Sequence, residues 1–536
     1  MVHKINRLLA IVGIIILLTG CNVGIGPAKE ELQTNTETPQ EDVQLSEEQL
    51  SKNKLDIAMQ QPLTLHPLYN MDKSVQQNLY LLFDTLVNIE EDGNITPNIA
   101  TSWTYNPQDF TLTLNLRSDI SWHDGEKLTA DDVIFSIQTI QTANESPYKQ
   151  STRNIGNVQK INEYSVKIYY RQPFSGVMQT LYFPIIPEHV YNKPVEEALA
   201  LKPIGSGPYR YAEQISNKEI IFTANPTYFL GEPQIKTIEV MIAPDEESML
   251  YAFEQSLIDV IYTDVMDWGK YAKDKSAKIH EMHTQYYEFM GVNFDYAIFQ
   301  EEWLREALIY SLDRENLLDI YYLGHGVVTD TPISPHSYLY YDQLGVKEYN
   351  KEKAKLILAQ EEYTLDENNK MFTKNGQPLQ FSLMVNQENT QRMRIAEGMK
   401  QMYAQVGIDV IIEAVDRETY LNRLYNKEFE AFLGGWKLSY IPDLTFAFHS
   451  AQVNGGDNFV SYEDAKMDEL LQAAFVSTPD QIEEAYKNLQ EYIAEQNPYI
   501  SLYFRNAALI TKKHITGTID PDPLNIYANV EEWKID

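Results

Sequence analysis

Cysteine is almost missing from this chain: 536 residues carry one, Cys21. A single thiol excludes both an internal disulfide and a cysteine-based zinc site. Basic residues are also scarce, 43 Lys and Arg against 77 Asp and Glu, for a formal charge of −34. A surface that negative repels nucleic acid and anionic lipid, and it favours a solvated particle. Long apolar runs are wanting too. The one that stands out, Leu8 to Leu18, is about eleven residues, too short to span a bilayer. No G-x-S-x-G, Walker loop or H-E-x-x-H occurs, and no residue set specifies a nucleophile with its base. Catalytic groups need only be close in space, so hydrolysis is not excluded by pattern alone. No internal repeat is visible.

What is present begins with Lys4 and Arg7 ahead of the apolar run, which ends in Leu18-Thr19-Gly20-Cys21. A small residue before a lone cysteine resembles the bacterial lipobox read by a lipoprotein signal peptidase. On that reading residues 1–20 are a signal peptide, and the Cys21 thiol takes diacylglyceryl chains. The rest of the chain is then held outside the membrane by lipid, two acyl chains giving a stable anchor where one would not. An ordinary signal peptide or a short membrane anchor are the alternatives. Loss of Lys4 and Arg7 takes the formal charge from −34 to −36. Residues 21–50 are acidic and polar with few large apolar side chains, the composition of a flexible linker.

Beyond the linker, strand and helix patterns mix. Leu55–Met59 reads as a strand, and Leu112–Arg117 as an alternating one. Leu79, Leu82, Phe83 and Leu86 fall at i, i+3, i+4 and i+7 and predict a helix. Thr129 stands as an N-cap with Asp131 and Asp132 in the first turn. Leu304–Leu308 begins a helix ending near Asp313-Arg314. Ile395, Met399, Met402, Tyr403 and Val406 form one helical face stopped by Gly407, with a strand at Ile408–Ile412. This mixture supports α/β or α+β with several lobes. His280 and His283 have a spacing that would serve a metal on a helix, but a solvated or cross-strand pair is the simpler reading. The 36 tyrosines suit a broad binding site and equally a tyrosine-rich core.

An ordered set of motifs gives a more specific reading. Leu79–Val87 is followed by Gly93, Pro97 and Trp103, then Trp122-His123-Asp124-Gly125 and Leu128–Val133. Pro184, Pro187, Gly205-Ser206-Gly207-Pro208-Tyr209, Asn225–Phe229 and Leu257–Val260 come next. Later come Gly324-His325-Gly326, Pro332–Pro335 and Phe432-Leu433-Gly434-Gly435-Trp436. In this order, over roughly residues 54–534, they resemble the extracellular solute-binding proteins of family 5, the peptide and nickel receptors of ABC transporters. The resemblance implies a mixed α/β, two-lobed periplasmic-binding-protein-like fold of the large class, with an extra domain. Domain I would take residues 51–89, 173–292 and 499–536, domain II 90–172, and domain III, the second lobe, 293–498. Hinge strands are expected near Tyr286–Phe294 and Tyr499–Ala507, both rich in β-branched or aromatic residues.

The same resemblance implies a ligand strand-added to Gly434, Gly435, Trp436 and Lys437, where glycines permit close backbone approach. A bulge for the glycines and core packing for Trp436 are the plainer readings. Tyr69, Met71 and Asp72 would form the opposing edge, with Tyr286, Tyr287 and Tyr503 as cleft rings or as packing under the hinge. One departure stands out. Several peptide receptors of the family place an Asp three residues after the Trp to pair with the ligand's ammonium, and here that residue is Ser439, the nearest acid being Asp443. The expectation is a monomeric, lipid-anchored receptor on the outer face of a Gram-positive cell membrane, without enzymatic activity, cofactor, metal or nucleic-acid partner. It would capture oligopeptides for an ABC transporter permease. The alternatives are a metal chelate, haem or an oligosaccharide on the same fold, or an extracellular peptidase.

Overall fold

Two long strands, Ala277–Val292 and Tyr499–Lys512, pair antiparallel and run from one hydrophobic core into another. They belong to a computed structural model that describes residues 53–536 apart from Ser216, Val265, Glu367, Asn369, Ile441 and Pro442. Cys21, the signal peptide and the linker therefore lie outside the described residues. The long pair forms the centre of a seven-stranded sheet. At one end Val260–Thr263 pairs with residues 508–511. At the other, Ala431–Lys437, Gln380–Asn386 and Asp409–Val415 extend the sheet in that order. The register slips twice in the long pair, between His283 and Tyr286 and between Glu288 and Phe289. Such bulges bend a ladder locally, and these fall where the strands leave the first core and enter the second. The expected hinge strands are strands, longer than the sequence pattern marked.

The first lobe holds two further four-stranded sheets. In one, Lys54–Gln60 lies parallel to Thr237–Ala243, followed by Glu219–Ala224 and Tyr209–Ile215. Leu55, Ile57 and Met59 alternate into its core, as a half-buried strand requires. The other joins Ala100–Asn106, Thr111–Leu116, Ser165–Tyr170 and Ile155–Asn162. The helix Ala130–Thr142 packs on its 155–170 strands behind a capping box of Thr129 and Asp132. In the second lobe Thr390–Gln405 buries Ile395, Met399, Met402 and Tyr403, and Gly407 at φ +81° ends it.

Several of the motifs that carry the family resemblance meet at one place in the first lobe. His123 Nδ1 accepts from the Gly205 N–H at 3.1 Å, and its Nε2 lies 3.1 Å from the Gly207 carbonyl. Those two bonds together require the neutral ring with hydrogen on Nε2. Asn225 also donates to the Gly207 carbonyl at 3.0 Å. Asp84 accepts from Ser206 Oγ at 2.7 Å and from Tyr228 Oη at 3.0 Å. The Gly207 and Tyr209 N–H groups then donate to the carbonyls of Leu82 and Leu81, each at 2.9 Å. Here the helix predicted through Leu86 is corrected. The helix is Lys73–Leu79, because the carbonyls of Leu81 and Leu82 are taken by the glycine loop. All-round burial of residues 81–86, and not a helical face, made the spacing.

Burial pushes the His123 pKa down to about 4 from a usual 6.5. A depressed histidine stabilises the fold fully above 6.5, and the contribution is lost as pH falls from 6.5 towards 4. Asp84, pushed up to about 6 by burial, acts with the opposite sign but is common to wild type and a His123→Gln variant. The stability gap between the two is therefore expected to be widest at neutral pH. It should narrow by about 3 kcal/mol between pH 6.5 and 4. Urea midpoints measured across that range check this, and a gap independent of pH would contradict the buried neutral ring.

Candidate ligand-binding cleft

Between the lobes lies a cavity of about 820 Å³, within the usual range of about 300–1,000 Å³ for ligand pockets. One wall comes from the edge of the second first-lobe sheet and its neighbours, with Gln150, Ser151, Arg153, Asn154, Arg171, Gln172 and Phe174. The other comes from the second lobe, with Ser334, Ser337, Tyr338, Lys437–Tyr440, Asp443–Phe446 and Asp457. The walls meet directly around it. Ser175 N–H donates to the Phe475 carbonyl at 2.8 Å, and Tyr338 N–H to the Asp92 carbonyl at 2.9 Å. Phe174 and Phe475 pack ring to ring at 5.0 Å. The lobes thus touch beside the cavity, which keeps an opening to solvent at Arg153, Arg171 and Lys437.

An aromatic pair of this kind contributes about 0.5–1.5 kcal/mol beyond its buried area. Phe475→Ala is therefore expected to weaken ligand binding about 3- to 10-fold and to raise the ligand-free radius of gyration. Small-angle scattering beside a titration checks both, and unchanged values would show that the backbone contacts alone hold the lobes.

Of the residues singled out in the sequence, Lys437 lines this cavity. Trp436 is half-buried behind it, stacked on Phe459 at 5.9 Å and met edge-on by the cavity residue Phe446 at 5.0 Å. Its indole N–H points to Tyr499 Oη at 3.4 Å. Gly434 and Gly435 pair with Phe289 and Glu288 of the long strand. A Cβ on Gly435 would sit 2.5 Å from Arg392 Nη2 and 2.8 Å from the Tyr287 carbonyl. One on Gly434 would meet the Phe432 ring at 2.6 Å. Packing inside the second lobe thus requires both glycines, whatever approaches their free edge. Tyr287 and Tyr503 are fully buried under the hinge and line no cleft. Tyr287 donates to or accepts from Ser501 Oγ at 2.5 Å, and Tyr503 packs on Tyr322 at 5.2 Å. Asp72 serves as N-cap of the 73–79 helix, accepting from Val75 N–H and Ser74 Oγ. Tyr69 packs edge-on against His66 at 4.8 Å, and Met71 is exposed. His280 and His283 sit on a strand, three apart and so on opposite faces. Among the described residues no three His, Cys, Asp or Glu side chains gather as a metal site.

Tyr286 lies at a second contact between the lobes, where cations gather. Arg505 stands 4.7 Å and Lys437 5.8 Å from its ring. Lys73, from the first lobe, stands 3.9 Å over Tyr262. Burial pushes the Lys73 pKa down to about 8, with Lys437 and Arg505 adding and Asp264 and Glu246 opposing. Glu288, buried behind, pairs with Arg392 at 2.9 Å and with Arg505 at 3.2 Å. Sequence reasoning missed the polar residues of the 150–172 wall. These wall residues sit at the short 3-10 turn before strand Ile155–Asn162 and in the bend after strand Ser165–Tyr170, and carry no periodicity that could have marked them.

Comparison with known proteins agrees with this geometry. The profile of the bacterial extracellular solute-binding proteins, family 5 (middle part), matches residues 94–458, more than half of the chain. The chain belongs to that family. The oligopeptide-binding protein AppA of Bacillus subtilis (strain 168) is 28% identical over 489 residues, 88% of this chain and 90% of that protein. The structure of AppA from Bacillus subtilis in complex with a nonapeptide covers 90% of this chain and 99% of its own at 27% identity, with a TM-score of 0.64. A nickel-binding periplasmic protein of Escherichia coli (strain K12) is 26% identical over 398 residues, 71% of this chain and 74% of that protein. The fold is the mixed α/β fold of the periplasmic binding proteins, two-lobed about a pair of crossing strands.

Proposed function

We propose that this protein is a receptor that encloses oligopeptides between its lobes and delivers them to an ABC transporter permease. The observation that carries the reading is the cavity between the touching lobes, walled by both and lined by hydrogen-bonding side chains mixed with aromatic ones. An extended peptide offers N–H and C=O groups along its length, and such a lining serves them whatever the side chains. Likeness to AppA over nearly the whole length supports a peptide. The absence of a convergent metal-ligand set among the described residues speaks against a bare metal ion as cargo.

The remaining parts of the reading rest on sequence. Cys21 carries the lipid anchor, residues 21–50 hold the body away from the membrane, and the protein works as a monomer outside the cell, without enzymatic activity. Among the described residues no helix is long and apolar enough to cross a membrane, in keeping with anchoring by lipid. Residues 51–89, 173–292 and 499–536 would move with 90–172 as one lobe against 293–498.

Native mass spectrometry of the purified protein, with gentle denaturation to release and sequence what is bound, tests the proposal. A ladder of peptides of mixed sequence supports it, and one defined peptide would make the cargo a signal. A metal chelate, haem or sugar overturns the cargo while keeping the fold. An empty protein that also fails to bind a random peptide pool overturns the peptide reading, and cleavage of that pool would make it a peptidase.

A further inference from the structure

The two walls of the cleft differ in charge. On the first-lobe wall Arg153 and Arg171 face the cavity from adjoining turns, the Arg171 N–H donating to the Asn154 carbonyl at 2.9 Å. Their strands are in register beside them, Ile155 opposite Tyr170. Among the described residues neither guanidinium has an ion pair or a hydrogen-bond partner. Buried arginines elsewhere are engaged: Arg392 and Arg505 on Glu288, and Arg314 on Asp330. Arg153 and Arg171 both lack a counter-ion among the described residues, although acids are plentiful in a chain of formal charge −34. The second-lobe wall carries Asp443 and Asp457 with one cation, Lys437, and the first-lobe wall carries one acid, Asp92. The cavity therefore has a net cationic side on the first lobe and a net acidic side on the second.

We propose that Arg153 and Arg171 form a carboxylate subsite, which takes a carboxylate of the bound peptide and ties it to the first lobe. The planar guanidinium matches a carboxylate through two parallel hydrogen bonds, which a lysine does not reproduce. The acidic wall opposite favours the ammonium end, so a zwitterionic peptide lies with its dipole across the cleft and draws the lobes together. The missing Asp at Ser439 is consistent with this. Register would be set from the carboxylate end, across the cleft, where the family's acid would have set it from the ammonium. The inference rests on the peptide reading.

The test is calorimetric titration of the full-length protein with a random peptide pool bearing free C-termini, and with the same pool amidated. Both arginines are exposed, so an Arg153→Gln/Arg171→Gln variant should keep the wild-type melting curve. The variant is expected to bind the free-acid pool about 10- to 100-fold more weakly, since hydrogen bonds to charged groups are the strong ones. Arg153→Lys/Arg171→Lys should recover only part of the loss. If amidation costs the wild type as much as the double variant loses, the carboxylate is the C-terminus. If amidation costs nothing but an Asp- and Glu-free pool binds as weakly as the variant does, it is an acidic side chain. Equal affinity of variant and wild type for the free-acid pool overturns the subsite and leaves the peptide reading intact. Should no peptide bind the wild type, modification by phenylglyoxal decides. Protection of both arginines by succinate keeps the carboxylate site for another anionic solute, and no protection overturns it.

Discussion

Gly205→Ala is expected to cost the first lobe its fold, or at least to destabilise it by about 3 kcal/mol or more, the upper end for overpacking. An alanine Cβ there would sit 1.9 Å from the Leu82 carbonyl oxygen and 2.8 Å from both its carbon and Phe83 Cδ1. No rotamer relieves this, because the obstacle is backbone. Leu82 cannot retreat either: its carbonyl receives the Gly207 N–H, and Leu81, Leu82 and Phe83 are buried in the first core. Gly125→Ala is the control. It has φ +95° with nothing within 4 Å of the added carbon, so it carries only a backbone penalty of about 1–2 kcal/mol. Urea midpoints and soluble yield of the two variants decide. A Gly205→Ala protein as stable as Gly125→Ala would mean that the glycine loop can move away from residues 81–83, and the account of this node would fail.

That node explains what could be read in the sequence. Asp84, His123, Gly205 to Tyr209, Asn225 and Tyr228 belong to separate motifs, yet they share one hydrogen-bonded knot away from the inter-lobe cavity. Each is constrained by contact with the others, so the motifs report how the first lobe folds. The cavity lining is constrained differently. Arg153, Arg171 and Ser334 are held by turns whose backbones would accept many side chains, so nothing local marks them. Elements with a single periodic face were legible, as for Thr129 with its helix and for Ile395 to Val406. Residues 81–86 were not, since burial on every side produces helical spacing without a helix. Gly434, Gly435, Tyr287 and Tyr503 show a related ambiguity. A strand that passes beneath a cleft needs glycines and rings for its own packing, and one sequence serves either purpose.

In the second lobe the largest loss of stability is expected at Arg314 and Asp330, side chains 2% and 3% exposed that pair at 2.7 Å. Arg314 Nη1 also donates to the carbonyls of Thr329 at 2.8 Å and Ser501 at 2.9 Å, and Nη2 to that of Lys347 at 2.7 Å. Asp330 in turn accepts from the Lys347 N–H at 2.7 Å. One ion pair thus joins a helix start, a loop and a crossing strand just beyond the bulges. Removing one partner of a buried pair typically costs about 3–5 kcal/mol, because the other charge is left uncompensated. Asp330→Ala should fall in that range. Arg314→Met should cost more, since three carbonyls then lose a donor at about 1–3 kcal/mol each when nothing replaces it. The double variant separates two explanations. If charge dominates, Arg314→Met with Asp330→Leu recovers stability above Arg314→Met, as apolar replacement of buried pairs often does. If the carbonyl clamp dominates, the double variant is no better than Arg314→Met. A two-lobed chain need not unfold in one step, so hydrogen exchange at strand Tyr499–Lys512 is the appropriate readout. We expect the clamp to dominate, because all three of the guanidinium's hydrogen bonds go to backbone carbonyls. Faster exchange should then reach residues 499–504 and leave the 508–511 pairing with the first lobe unchanged. Exchange that rises equally along the strand would instead make the two lobes one cooperative unit, and hinge motion about the bulges would need another origin.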